Sequence, residues 1–380
     1  MKIVVAIDSL KGSLTSMEAG DAIRSGILRV YPDAEVFVRP LADGGEGTVE
    51  ALVLGMGGSL QEISVTGPLG KKVNASYGIL KDSATAIVEM AAAAGITLVP
   101  PQERNPYVTT TYGVGEILRD AIQKGCRHFI VGIGGSATND GGVGMLQALG
   151  YEMLDAEGRN VPFGAEGLHK LAEIRKENVL PELVQCTFRI ACDVTNPLCG
   201  ENGCSAIYGP QKGATPSSIP QMDQWLADYA RLSGKLFPHA DPNAPGAGAA
   251  GGLGFAFLTY TNAVLESGIR IVLDETKLEE YVRSADLVIT GEGRLDAQTV
   301  MGKAPIGVAS IAKKHGKAVI AFSGCVTRDA RECNAHGIDA YFPILRQAST
   351  LAEAMNPDNA RQNMADTVEQ AMRLIHARVL

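Results

Sequence analysis

Three short stretches of this chain combine glycine with side chains that handle charge, and a fourth sets a carboxylate just past an apolar run. Asp8-Ser9-Leu10-Lys11-Gly12-Ser13 follows the apolar run Ile3-Val4-Val5-Ala6-Ile7, and Gly132-Ile133-Gly134-Gly135-Ser136-Ala137-Thr138-Asn139-Asp140-Gly141-Gly142 follows Phe129-Ile130-Val131. Asp193 follows Phe188-Arg189-Ile190-Ala191-Cys192, and Gly291-Glu292-Gly293-Arg294-Leu295-Asp296 follows Leu287-Val288-Ile289-Thr290. Glycine lets backbone N–H groups approach a ligand closely, and a helix N-terminus behind such a loop carries partial positive charge, so these loops can cradle an anion. One glycine loop alone reads more readily as a tight turn with its helix cap. Several in one chain, with Asp8, Asp193 and Glu292 at strand ends where open α/β sheets bind ligands, point instead to a polar cleft. Several acidic oxygens near phosphates are the natural setting for magnesium.

Basic groups occupy the same loops. Lys11, Lys212 in Gly209-Pro210-Gln211-Lys212-Gly213-Ala214, and Arg294 stand beside glycine in a chain whose net charge is -8. That placement suggests a small anion as substrate or product, with Arg suited to a bidentate contact and Lys to a mobile point charge. Lys303, in Gly302-Lys303-Ala304-Pro305, reads as a surface lysine. A further glycine-acid loop, Asp43-Gly44-Gly45-Glu46-Gly47-Thr48, leads into the apolar run from Val49. The stretch Gly246-Ala247-Gly248-Ala249-Ala250-Gly251 has dinucleotide-site spacing, but no strand precedes it, so an anion-facing or closely packed helix start is the better reading. No GxxxxGK[ST] motif occurs.

The balance of the sequence narrows the class. The acidic net charge argues against a nucleic-acid surface, which needs Lys and Arg in excess. No apolar segment approaches the roughly 20 residues that a bilayer requires, and the chain enters a strand pattern at once, so the expected location is the cytoplasm. Seven cysteines without a CxxC pair suit reduced thiols, and six scattered histidines offer no metal-ligand spacing.

Local pattern sets the framework. Thr15 and Glu18 have capping-box spacing before a helix whose face runs through Gly20, Ile23, Ile27 and Val30, and residues 34–38 form a second strand. This βαβα rhythm returns with strands near 287–290, 318–322 and 340–344 and a final helix over residues 359–377, the signature of a parallel sheet with helices on its faces. The middle is less regular, with paired strands at 75–80 and 86–89. The expected fold is therefore α/β with two domains. Residues 1–68 and 285–380 make a discontinuous flavodoxin-like, doubly wound domain, residues 69–284 an inserted mixed α/β domain, and the active site lies in the interdomain cleft.

The motifs Asp8-Ser9-Leu10-Lys11, residues 43–48, residues 132–142, Asp193-Val194-Thr195-Asn196-Pro197-Leu198, residues 209–214 and Ile289-Thr290-Gly291-Glu292-Gly293-Arg294 resemble, in order and across nearly the whole chain, the type 1 glycerate kinase family. The resemblance implies ATP-dependent phosphorylation of D-glycerate, to 2-phosphoglycerate in many bacterial members. The chain departs from the usual first loop at Ile7, Leu10 and Gly12, where the family has Pro, Phe and Glu; Asp8, Lys11 and Ser13 are kept. On this reading phosphoryl transfer is direct and in line, with Asp193 as first candidate base and Asp8 its rival. Lys11, Lys212 and Arg294 hold the glycerate carboxylate or the migrating phosphoryl group. Ser13, Gly44, Gly45, Gly134, Gly135, Ser136, Thr138 and Asn139 offer further contacts, and Asp43 and Glu292 organise Mg2+. The expected partners are D-glycerate and ATP, without nucleic acid or membrane, and a homo-oligomer is allowed. A nicotinamide-dependent hydroxy-acid dehydrogenase and a non-catalytic small-acid sensor are the alternatives.

Overall fold

The computed structural model describes residues 1–42, 47–81 and 84–379, so Asp43, Gly44 and Gly45 of the expected site lie outside the described residues. In chain order the strands are β1 (Lys2–Val5), β2 (Glu35–Val38), β3 (Ser59–Thr66), β4 (Lys72–Leu80), β5 (Thr85–Glu89), β6 (His128–Gly132), β7 (Glu152–Leu154), β8 (Glu173–Arg175), β9 (Thr187–Ala191), β10 (Ala263–Glu266), β11 (Leu287–Leu295), β12 (Ala318–Val326) and β13 (Ala340–Pro343). The chain divides into two compact units, one of Met1–Asp43, Glu50–Met56 and Ile269–Leu380, the other of Gly44–Val49 and Gly57–Gly268. The boundaries therefore fall at 57 and 269, where the sequence pattern suggested 68 and 285. The reason is pairing: β3 lies antiparallel to β4 from Ser59↔Ile79 to Thr66↔Lys72, while helix Leu278–Arg283 packs on helix Ala304–Lys314 of the first unit.

The first unit holds a five-stranded sheet in the order β13-β12-β11-β1-β2, with every neighbouring pair parallel. Numbered within the unit, this is the flavodoxin-like order 2-1-3-4-5. Ile3, Val4, Val5, Ala6 and Ile7 have no exposed surface, as expected where helices cover both faces of a parallel sheet. Ile3, Val5, Ile289 and Phe322 share a core with Ile23, Ile27, Met364 and Val368, which seats helices Ser16–Leu28 and Pro357–Val379 together on the sheet. Helix Ala304–Lys314 packs on β11 and β12 outside that core, burying Val308, Ala309 and Ala312.

Local chemistry fixes where the first helix starts. Thr15 Oγ1 accepts from the Glu18 N–H at 3.2 Å and the Glu18 carboxylate accepts from the Thr15 N–H at 2.9 Å, the capping box expected from their spacing. Buried Ser16 donates to the Ile7 carbonyl (2.7 Å) and accepts from the Leu41 N–H (2.9 Å), tying the helix start to the chain leaving β1 and β2.

The second unit holds a six-stranded mixed sheet, β10-β9-β6-β5-β4-β3. β5, β6, β9 and β10 run parallel, and β4 and β3 add antiparallel pairs at one edge. Phe129 and Phe188, in register on β6 and β9, stack with ring centroids 4.8 Å apart. β7 and β8 form a separate antiparallel ribbon. Among the described residues no helix is long and apolar enough to cross a membrane.

Gly26 marks how closely the two helices on the first sheet approach. A Cβ there would meet the Ala365 carbonyl and lie 2.9 Å from Val368 Cβ. Overfilling a packed interface typically costs about 1–3 kcal/mol. Gly26→Val is expected to lower the stability measured by urea denaturation by an amount in that range, and an unchanged midpoint would contradict this helix contact.

Candidate active site

The carboxyl edge of the first sheet opens into a cavity of about 550 Å3. Its position is where the strand order reverses, between the chain leaving β1 and the chain leaving β11, the switch point at which open α/β sheets bind ligands. Its polar side carries Asp8, Glu292 and Asp296 with Lys11, Arg294 and Lys303. The three carboxylate residues are buried, each less than a tenth exposed, whereas Lys11 and Arg294 are exposed. Glu292 accepts from the Thr299 hydroxyl at 2.6 Å, and Lys303 Nζ lies 3.9 Å from Glu292 and 4.0 Å from Asp296. Arg294 Nε stands 3.2 Å from Asp296. Lys303, read from sequence as a surface lysine, thus belongs to the cavity.

Two further features shape this edge. The backbone turns tightly at Leu10–Leu14, with the Leu10 N–H donating to the Leu14 carbonyl (2.9 Å) and the Leu14 N–H back to Leu10 (3.1 Å). Gly12 in this turn has φ +77°, a conformation that glycine takes without cost and a side chain disfavours, so the departure at residue 12 suits the local backbone. Ser13 also lines the cavity, and its hydroxyl is buried without a hydrogen-bond partner among the described residues. Thr299, fully buried, bonds Glu292 and receives the Asp296 N–H at 3.1 Å. Sequence reasoning missed it, although the Asp296-x-x-Thr299 spacing of a side-chain-capped turn was visible.

In the second unit, the loop after β6 is braced from within. Lys212 is 2% exposed, and its ammonium donates to Ser136 Oγ and to the Thr138 carbonyl, both at 2.7 Å. Burial pushes its pKa down to about 8. Asp140, fully buried, accepts from the Thr111 N–H and hydroxyl, both at 2.8 Å, and from the Gly142 N–H at 3.1 Å. Burial raises its pKa, and those hydrogen bonds oppose the rise. Asn139 donates to Ser205 Oγ at 2.9 Å, and Thr109 to the Ala137 carbonyl at 2.9 Å. Ser136, Thr138, Asn139 and Lys212 are therefore buried parts of the loop's frame, while Gly134 and Gly135 are its exposed crest. The bracing residues Thr109, Thr111 and Ser205 were not read from sequence. The run Thr109-Thr110-Thr111 before an amphipathic helix was the available signal.

Asp193 stands past the end of β9, exposed, with Oδ1 accepting from the Gly268 N–H at 3.3 Å. The glycine stretch near it serves packing. A Cβ on Gly248 would meet the Pro197 carbonyl and one on Gly251, at φ +68°, would meet the Thr138 carbonyl. The Gly141 N–H donates to Gly251 O at 2.9 Å and the Gly248 N–H to Asn196 O at 2.9 Å. These glycines bring the chain against the loops carrying Thr138 and Asn196, and the dinucleotide-like spacing follows from that close approach. Among the described residues no group of three or more His, Cys, Asp or Glu is arranged to hold a metal ion.

Fold and sites describe an α/β protein with polar and charged groups at the carboxyl edges of its parallel strands. The sequence profile of the glycerate kinase family matches residues 3–376. A Haemophilus influenzae glycerate kinase is 49% identical over 375 residues, covering 99% of each chain. An Escherichia coli glycerate 2-kinase is also 49% identical, over 98% of this chain and 99% of its own. A crystal structure of a Salmonella typhimurium protein, provisionally described as glycerate kinase 2, superposes with a TM-score of 0.92 at 47% identity, covering 99% of this chain and 98% of that one. The chain belongs to the glycerate kinase family.

The frame around Lys212 makes a pH-dependent prediction. A lysine in an unfolded chain titrates near about 10.4, so with a folded value of about 8 the unfolded state binds more protons between those values, and this group's contribution to stability rises with pH there. The stability difference between the native chain and Lys212→Met, measured by urea denaturation, is expected to grow in favour of the native chain from pH 8 to pH 10. A difference that stays flat or shrinks would contradict a buried, depressed Lys212.

Proposed function

We propose that this chain is an ATP-dependent kinase of D-glycerate, forming 2-phosphoglycerate by direct, in-line transfer with Mg2+. The observation that carries the reading is the set of charged groups at the first sheet's switch point, Lys11, Arg294 and Lys303 among Asp8, Glu292 and Asp296, in a chain that matches glycerate kinases over nearly its full length. Phosphoryl transfer asks a protein mainly for positioning and charge neutralisation. Lys11 and Arg294, exposed at the cavity, neutralise the transferring phosphoryl group. Lys303 balances Glu292 and Asp296. Lys212 acts through the loop it holds, leaving the exposed Gly134 and Gly135 to offer backbone N–H groups to an anion.

Asp193 accepts the proton of the glycerate hydroxyl in this reading. It is exposed at a parallel strand end, where a carboxylate is available to a bound alcohol. Asp8, buried at the cavity, is the rival. Mg2+ binds through one or two carboxylates together with substrate phosphates. Of the expected pair Asp43 and Glu292, Glu292 is at the cavity and Asp43 lies outside the described residues. When bound, the ion offsets negative charge on the phosphates. The dehydrogenase alternative loses its motif, because the glycines from Gly246 to Gly251 pack against neighbouring backbone.

The test is a coupled assay for ADP release. Release that depends on D-glycerate supports the kinase, and a nicotinamide absorbance change or binding without turnover supports the alternatives. Asp193→Asn is expected to lower turnover by roughly 100-fold or more with its circular dichroism spectrum unchanged; near-normal turnover would remove Asp193 as the base. Phosphorus NMR of the product is expected to show 2-phosphoglycerate, and 3-phosphoglycerate would overturn the assigned hydroxyl.

A further inference from the structure

The cavity of the first unit is built on a scale and with a chemistry that glycerate does not use. Pockets of roughly 300–1,000 Å3 enclose ligands of drug size, and about 550 Å3 far exceeds the need of a three-carbon acid. Its lining is also mixed in character. Beside the charged groups it carries Leu10, Ile344, Leu345, Leu351, Ala354 and Met355. Three of these keep large apolar surface open to solvent: Leu351 is 78% exposed, Leu345 38% and Met355 36%. Exposed apolar side chains gathered at the rim of a charged pocket mark a ligand that is apolar at one end and anionic at the other. Glycerate has no such end.

We propose, resting on the kinase reading, that this cavity is the nucleotide site. The purine lies on the apolar wall, where the flexible Met355 thioether and Leu351 present soft, adaptable contact to an aromatic face, and the phosphates lie toward Lys11 and Arg294. Three observations agree on the orientation. The charged groups sit at the carboxyl ends of β1 and β11, the switch point that in this strand order takes a phosphate-bearing ligand. The apolar lining comes mostly from the segment after β13 and from helix Leu351–Met355, with Met355 reaching the turn at Gly12. The start of that helix is fixed by its own capping box, Thr350 with Glu353. Under this assignment glycerate binds elsewhere, and the nucleotide affinity of the protein does not require glycerate.

Photolabelling with 8-azido-ATP, followed by peptide mapping, tests the assignment on the unaltered chain. Label is expected on the peptide spanning residues 344–363, blocked by excess ATP and not by D-glycerate; label confined to residues 57–268 would overturn the proposal. Two variants give a second readout. Leu351→Asp and Ala354→Trp, checked for folding by circular dichroism, are expected to weaken binding of a fluorescent mant-ATP at least tenfold and to raise KM for ATP equally, with KM for D-glycerate changed less than twofold. Unchanged mant-ATP affinity with a raised KM for D-glycerate would place glycerate in the cavity instead. Labelling at 344–363 in a protein that shows no glycerate-dependent ADP release would leave the nucleotide site standing and refute the glycerate substrate, so the two claims fail separately.

Discussion

The pairing of β1 with β11 is the constraint on which the first unit depends. Ile3 lies beside Leu287 and Val5 beside Ile289, so residues far apart in the chain must meet before this sheet exists. The hydrogen bonds continue past the strand end, from the Ala6 N–H to Ile289 O at 2.8 Å and from the Asp8 N–H to Gly291 O at 3.0 Å. They set Asp8 alongside Glu292 at the carboxyl edge. A slip of one residue in this register would turn every side chain of β1 to the opposite face, and Asp8 would leave the cavity with it. Both faces of the apolar run Ile3 to Ile7 are buried under helices, so the hydrogen bonds that continue to Asp8, more than any apolar-polar alternation, hold the register.

A different principle shapes the second unit's loop. Its glycines give an exposed crest at Gly134 and Gly135, and buried charged groups beneath it tie the chain down. Lys212 and Asp140 are both fully buried and each is hydrogen-bonded to the loop or its neighbours. Removing one partner from such a network leaves a buried polar group unpaired, which costs more than the bond itself contributes. The loop is therefore rigid by construction, which favours binding by preorganised N–H donors.

Much of this was legible in the sequence where the controlling interactions are local. Thr15 and Glu18 announce the first helix, the alternation of β-branched runs with helical segments gives the parallel sheet, and the carboxylates just past those runs fall toward its carboxyl edge. What escaped was set by distant contacts. β3 was not read as a strand because Ser59 to Thr66 alternates only weakly and is defined by its pairing with β4. Helix Ile219–Leu236 was missed despite buried Met222, Leu226, Tyr229 and Ser233 at helical spacing. The frame under the 132–142 loop was invisible because Lys212, in a glycine-rich turn, looks identical whether it reaches solvent or the interior. Lys303 misled in the opposite sense: its neighbours Glu292 and Asp296 reach it only through the folded chain.

The proposed phosphoryl transfer runs directly from nucleotide to glycerate by charge neutralisation and positioning, with no phosphorylated side chain between. The configuration at phosphorus tests this most directly. With ATP made chiral at its γ-phosphorus by oxygen isotopes, and D-glycerate as acceptor, a single in-line displacement predicts phosphoglycerate that carries the label with inverted configuration. Retention would reveal two successive transfers through the protein, and unlabelled glycerate would remove the reaction altogether.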